Sequence, residues 1–152
     1  METKQRTKKE QGRLGRARGK AFELKVRHEM ESKDLVVCKW TNQIDFEKNK
    51  VIPAKVKFNP FTKSSSQGNG FPDFVVYTKR RNCDTKVIVV GVESKMNKYL
   101  SPDEKKMCDW LLANNIFVKI LIAYKKDKEI FYYDYFTNND DFTEIGEAID
   151  YE

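Results

Sequence analysis

Asp73, Glu93 and Lys95 are the residues whose types and spacing can do chemistry together. Asp73 heads the apolar run Phe74-Val75-Val76-Tyr77. Glu93 and Lys95 end a second run, Val87-Ile88-Val89-Val90-Gly91-Val92. Short apolar runs of this composition read as strands, so residues 70–77 and 87–95 are expected to pair as a hairpin through the polar residues 78–84. Strand side chains alternate. Gly91, Glu93 and Lys95 therefore share one face, and Val90, Val92 and Ser94 the other. An acid and a lysine at the end of a buried strand are costly unless paired, metal-bound or open to water. Asp73, on the neighbouring strand, is the nearest carboxylate. Two such carboxylates offer oxygen ligands to a hard cation such as Mg²⁺, which binds through one or two carboxylates plus substrate phosphates. The chemistry implied is phosphodiester hydrolysis, with Lys95 positioning or helping to deprotonate the attacking water. Spacing alone is equally compatible with Asp73 capping the turn after Pro72 and with Glu93–Lys95 as a surface ion pair.

Pro72-Asp73, nineteen residues, then Glu93-Ser94-Lys95 resembles the signature of the PD-(D/E)XK nuclease superfamily. Within it, residues 12–124 are most similar to archaeal Holliday junction resolvases and VRR-type nucleases, apart from a long segment at about 41–69. The resemblance implies a restriction-endonuclease-like α/β fold with a mixed sheet of about five strands flanked by helices. It implies a Mg²⁺-dependent endodeoxyribonuclease, with Mn²⁺ as a substitute, serving DNA recombination and repair. Asp73, Glu93 and the Ser94 carbonyl would hold the metal, and Lys95 would orient the water. Gly15-Arg16-Ala17-Arg18-Gly19-Lys20-Ala21-Phe22-Glu23 is similar to the Arg/Lys-Gly…Glu opening of archaeal resolvases, which makes Glu23 the fourth active-site residue. From the residues alone, Glu23 is an exposed partner for Arg27, one turn on. Resolvases also place a serine upstream of the PD motif, which nominates Ser66 as a substrate contact. Leu100-Ser101-Pro102 resembles an element of VRR-type nucleases, although Glu104 stands where that pattern often has Gln. Branched DNA is the implied substrate. A C2 homodimer would match the pseudo-symmetry of a four-way junction. The rivals are a VRR-type or restriction-like nuclease acting on flaps, ends or single strands, and a nucleic-acid-binding protein with a degenerate site.

Charge agrees with a nucleic-acid partner. Residues 1–20 hold eight Lys/Arg against two Glu, and residues 127–152 hold one Lys against nine acids. The overall +6 thus hides a basic arm, a basic body and an acidic tail. Residues 1–15 read as a flexible basic arm, and 16–152 as one domain carrying the 41–69 insertion. Arg13, Arg16, Arg18 and Lys20 are expected to contact phosphates, as is Lys39 if it faces the cleft. No stretch approaches the roughly 18 apolar residues of a membrane span, and no apolar leader follows the charged N-terminus. Cys38, Cys83 and Cys108 show no zinc spacing. They suit a reducing, intracellular setting, with Cys38 and Cys108 in the core.

The elements that must position these residues are also legible. Phe22, Val26 and Met30 form a stripe that predicts a helix over 16–33. Residues 35–40 read as a strand. Within 41–69, either an extra hairpin widens the DNA-facing surface or a loop packs Phe58 and Phe61 into the core, with residues 64–70 as a flexible turn. Ser101, Pro102 and Glu104 predict a capped helix to about Ala113. Residues 116–124 read as a central strand, and 129–136 as another that either forms a dimer face or finishes the sheet. Residues 142–151 read as an acidic amphipathic helix or a frayed tail, placed on the back of the protein or in a subunit contact.

Overall fold

A computed structural model describes residues 7–61, 63–68, 70–80, 83–137 and 142–150. The chain runs α1 (Lys8–Ser32), β1 (Val36–Lys39), β2 (Asn42–Asp45), β3 (Lys50–Pro53), β4 (Val56–Asn59), β5 (Ser64–Gln67), β6 (Phe74–Arg80), β7 (Cys83–Lys95), α2 (Pro102–Ala113), β8 (Lys119–Lys126), β9 (Glu129–Asp134) and α3 (Ile145–Asp150). The fold is α/β. Its main sheet is mixed, five-stranded and ordered β1-β6-β7-β8-β9. β6 runs antiparallel to both of its neighbours, β1 and β7, while β7 and β8 are parallel across the α2 crossover, and β8 and β9 form a hairpin. The turn of that hairpin, Asp127-Lys128, has positive φ at both residues, as tight hairpins require. No helix among the described residues is long and apolar enough to cross a membrane.

The alternation of β7 divides the core into two layers, one on each face of the sheet. Val90 and Val92 face α1 and α3, packing with Phe22, Val26, Met30, Leu121, Tyr132 and Ile145. On the other face, Leu100, Cys108 and Leu111 pack with Phe117, Ile120, Ile122 and Tyr133. Each fully buried Val, Leu or Ile contributes roughly 1.5–3 kcal/mol. The central strand is β7, not the segment 116–124. β8 is nevertheless interior, and Ile120 to Tyr124 are all buried.

Several expectations are corrected. The helix begins at Lys8 rather than near Arg16, because Thr7 and Glu10 form a capping box. Most of the expected flexible arm is therefore helical, and residues 1–6 lie outside the described residues. The hairpin strands extend further than the apolar runs suggested, to Arg80 and from Cys83. The insertion folds as two hairpins, β2–β3 and β4–β5, and neither pairs with the main sheet. Phe58 and Phe61 are exposed rather than in the core, and residues 64–67 form a strand rather than a flexible turn. Cys38 is exposed, while Cys108 is buried. α3 packs Ile145, Ala148 and Ile149 into the protein's own core. α2 falls where the cap residues placed it, with Ser101 and Glu104 in a capping box.

Candidate active site

Three elements bring the predicted residues together at one end of the sheet. β7 delivers Glu93, Ser94 and Lys95, the turn before β6 delivers Asp73, and α2 adds a carboxylate of its own. Asp73 is tied in from both sides. Its backbone N–H donates to Glu93 Oε2 at 3.1 Å. Its carboxylate oxygen Oδ2 accepts the Ser94 backbone N–H at 3.0 Å and also the Ser94 hydroxyl. Its carbonyl accepts the Trp40 N–H at 3.0 Å, which fixes the turn to the end of β1. The turn also packs onto Gly91. An added Cβ there would lie 2.8 Å from Pro72 Cγ, so only glycine leaves room for the proline that precedes Asp73.

Glu93 is only 6% exposed. Its Oε1 lies 3.1 Å from Lys95 Nζ, and Lys95 also pairs with Glu104 of α2. Glu104 therefore does two jobs: one carboxylate oxygen caps α2 through the Ser101 N–H at 2.8 Å, and the other holds Lys95. Glu104 is the site residue that the sequence reading missed. It was legible there as a cap and as a departure from the Gln of the VRR-type element. Its second role arises because the loop after β7 returns α2 to the strand end.

The electrostatics follow from burial. Burial pushes the Glu93 carboxyl up to about 8, and the Asp73 charge adds to this against the nearby Lys95. Burial also holds Asp73 above the usual aspartate range, against its two Ser94 hydrogen bonds, with Glu23 raising it further and Lys39 opposing. Burial disfavours the Lys95 charge, but Glu104 and Glu93 outweigh it and leave its ammonium above the ordinary lysine range. Burial likewise opposes the Glu104 charge, yet the Lys95 partner leaves that carboxyl below its usual value. The cluster thus holds two acids with high proton affinity beside a lysine that keeps its proton.

Glu23 stands at the edge of this cluster and pairs with Lys39 of β1 rather than with Arg27, which instead pairs with Glu31 at 2.8 Å. Lys39 also lies 5.4 Å above the Phe74 ring. Lys20, Glu23, Arg27, Lys39 and Phe74 line a cavity of about 450 Å³. A second cavity, of about 550 Å³, is lined by Arg18, Lys25, Lys125 and Lys128 together with Met96, the residue after Lys95. Ala21 of α1 borders both. Of the expected phosphate contacts, Lys20, Lys39 and Arg18 line these cavities. Arg13 and Arg16 are exposed on the same helix further towards its start. Lys25, Lys125 and Lys128 join them unforeseen, because the β8–β9 turn meets α1: Lys25 donates to the Lys128 carbonyl at 3.1 Å. Ser66 lies in β5 opposite Lys57, and the main-sheet ladder does not bring it to Asp73.

Among the described residues, no three His, Cys, Asp or Glu side chains form a metal-holding group. The oxygen donors brought together are the Asp73 and Glu93 carboxylates, joined through the Asp73 backbone N–H. The second buried acid, Asp134, is structural: Lys119 lies 3.8 Å away and also donates to the carbonyls of Ala148 and Ile149 in α3. Compared with protein-family models, curated proteins and solved structures, the chain gives no significant match in any of the three.

Proposed function

We propose that this chain is a Mg²⁺-dependent endodeoxyribonuclease of the PD-(D/E)XK type, acting on branched DNA in recombination or repair as a homodimer. One observation carries the reading: Asp73, Glu93, Ser94 and Lys95 form a single hydrogen-bonded cluster at the end of β7. A turn cap and a surface ion pair would require neither the burial of Glu93 nor its bond to Asp73. The flanking cavities, one with four cationic residues and the other with three, suit a polyanion.

The donor set fits Mg²⁺ or Mn²⁺. Asp73, Glu93 and the Ser94 carbonyl are hard oxygen donors, and Mg²⁺ needs only one or two carboxylates beside substrate phosphates. Both acids are held above their ordinary range, so a divalent cation would relieve charge that burial makes costly. When bound, the cation supplies Lewis-acid stabilisation of the phosphoryl oxygens and lowers the pKa of a bound water. The remaining work falls to the chain. Ser94 fixes Asp73. Glu104 and Glu93 keep Lys95 protonated and aimed, so Lys95 orients the nucleophile and meets charge developing on the phosphorane as a donor, without taking the proton. Lys39, Lys20 and Arg18 hold flanking phosphates, and Glu23 restrains Lys39.

The test is cleavage of matched four-way junction, flap, linear duplex and single strand, with Mg²⁺ or EDTA, beside Asp73→Asn. Paired symmetric cuts in the junction, lost in EDTA and in the variant, are expected. Metal-dependent cutting without junction preference would keep the nuclease and remove the resolvase. Tight binding with no cutting in Mg²⁺ or Mn²⁺, or equal cutting by Asp73→Asn, would overturn the assignment.

A further inference from the structure

We propose that the β4–β5 hairpin is a stacking platform for unpaired bases, through which the chain engages single-stranded DNA exposed at or beside the branch of its substrate. This rests on the nuclease reading and supplies its substrate class.

Physical economy raises the question. Every residue of β4 is exposed, so the strand buries neither face. A two-stranded ribbon of this kind is marginal in water unless something covers it. Phe61 at the tip is 96% exposed, and Phe58 and Val56 on the strand are each 64% exposed. The tip is nonetheless built rather than slack: Asn59 Oδ1 accepts the Phe61 N–H at 3.0 Å, and Lys63 takes a positive φ. Two aromatic rings are thus presented to solvent, Phe58 from the strand and Phe61 after it.

The neighbouring hairpin provides the contrast. β2–β3 is docked on α2, where Trp110 donates to Asn49 Oδ1 at 2.7 Å and Lys106 lies 4.4 Å over the Phe46 ring. It has a structural role in the body of the protein. Among the described residues, no such docking covers Phe58 or Phe61, and both stay exposed.

Charge chooses the occupant. Residues 48–72 contain five lysines and no acid. Lys55, Lys57 and Lys63 sit on or beside the ribbon, and all three are exposed. Aromatic faces interleaved with lysines match single-stranded nucleic acid: bases stack on rings whatever their identity, and lysines track the phosphates. Duplex DNA hides its base faces and would leave the rings unused. An apolar protein partner gains nothing from a segment with five lysines and no acid.

Position links the ribbon to the site. Ala54 donates to the Thr41 carbonyl at 2.9 Å, and Phe71 donates to the Asn42 carbonyl at 3.1 Å. The root of the insertion is therefore stitched to the chain between Trp40, which bonds Asp73, and Phe71, two residues before it. A strand engaged on the ribbon leads towards the Asp73–Glu93 cluster.

The experiment measures equilibrium binding of the full chain, in EDTA, to a fluorescent oligo-dT and to a duplex of equal length. The variants are Phe58→Ala/Phe61→Ala and Lys55→Ala/Lys57→Ala/Lys63→Ala, with folding checked by circular dichroism. The phenylalanine variant is expected to lose roughly tenfold or more in oligo-dT affinity, keep its salt slope and bind duplex nearly as before. The lysine variant is expected to flatten the single-strand salt slope by about two. Unchanged oligo-dT affinity in the phenylalanine variant overturns the proposal, as does equal loss on duplex. If the phenylalanine variant instead abolishes self-association in sedimentation while oligo-dT affinity stands, the ribbon is a protein contact and the proposal falls. Because binding is read without metal, an inactive wild-type chain that still binds oligo-dT through Phe58 and Phe61 would sink the nuclease and keep the ribbon.

Discussion

Ser94 donates both its backbone N–H and its hydroxyl to one carboxylate oxygen of Asp73, binding the turn before β6 to the end of β7. Ser94→Ala keeps the first bond and removes the second. Hydrogen bonds to charged groups contribute about 1.5–3 kcal/mol, and the remaining donor softens the loss. Urea unfolding should show a decrease of roughly 1–2 kcal/mol, together with slower DNA cleavage. A variant as stable as wild type would mean that the hydroxyl does not hold Asp73.

Gly91 should tolerate no side chain. A methyl group there would press on Pro72 Cγ at 2.8 Å and on Phe117 Cδ2 at 3.2 Å. The proline ring is rigid, so the turn carrying Asp73 must shift. Gly91→Ala is expected to cost about 1–3 kcal/mol, as overpacking does, and to depress cleavage beyond what the lost stability explains at low temperature. Full activity in a stable Gly91→Ala protein would break the link between this packing and the site.

Stability should fall with rising pH when metal is withheld. The Glu93 value of about 8 in the folded state lies above the 4.5 of an unperturbed glutamate. Folding therefore favours the protonated acid. Its contribution is complete below about 4.5 and is lost as pH climbs through about 8. Asp73, also raised, acts in the same direction. Thermal melts in EDTA between pH 6 and 9 should show a falling Tm, flattened in Glu93→Gln and recovered by Mg²⁺. A Tm that is flat in the wild type would contradict the buried, strained charge.

Glu104→Gln should uncouple Lys95 from α2. The amide cannot supply the negative charge that helps hold the Lys95 ammonium above its ordinary range. The alkaline limb of the cleavage profile should then move to lower pH, and activity near neutrality should drop while oligonucleotide affinity holds. An alkaline limb that stays in place in Glu104→Gln would leave Glu104 with its capping role alone.

The cavity beside Met96 should be read by salt. Arg18→Ala/Lys125→Ala removes two of its four lining cations. If both neutralise duplex phosphates, the slope of log affinity against log salt should shrink by about two, near 0.9 per contact. An identical slope would place the duplex elsewhere.

Sequence was informative wherever a local rule had a single solution. Alternation put Gly91, Glu93 and Lys95 on one face of β7. A serine, a proline and a glutamate fixed the start of α2, and the stripe Phe22, Val26 and Met30 placed α1 against the core. The Asp73–Glu93–Lys95 group was legible because polar residues at the end of an apolar strand stand out against its burial. The extent of α1 was less legible, since the polar residues 8–15 carry no stripe and the helix there rests on the Thr7–Glu10 cap.

What the chain determined by itself was therefore local: strand faces, helix starts and the acids and lysine of one candidate site, with the mixed sheet of about five strands flanked by helices expected from the resemblance. Tertiary structure alone decided the pairings between distant segments. Glu23 turned to Lys39 rather than to Arg27, Lys95 gained Glu104, and Lys25, Lys125 and Lys128 met at one cavity. The insertion became one docked hairpin and one exposed hairpin. The physical reason is range. Periodicity and caps act over one or two turns of chain, whereas ion pairs and packing depend on which elements the sheet order brings side by side, and no local pattern encodes that order.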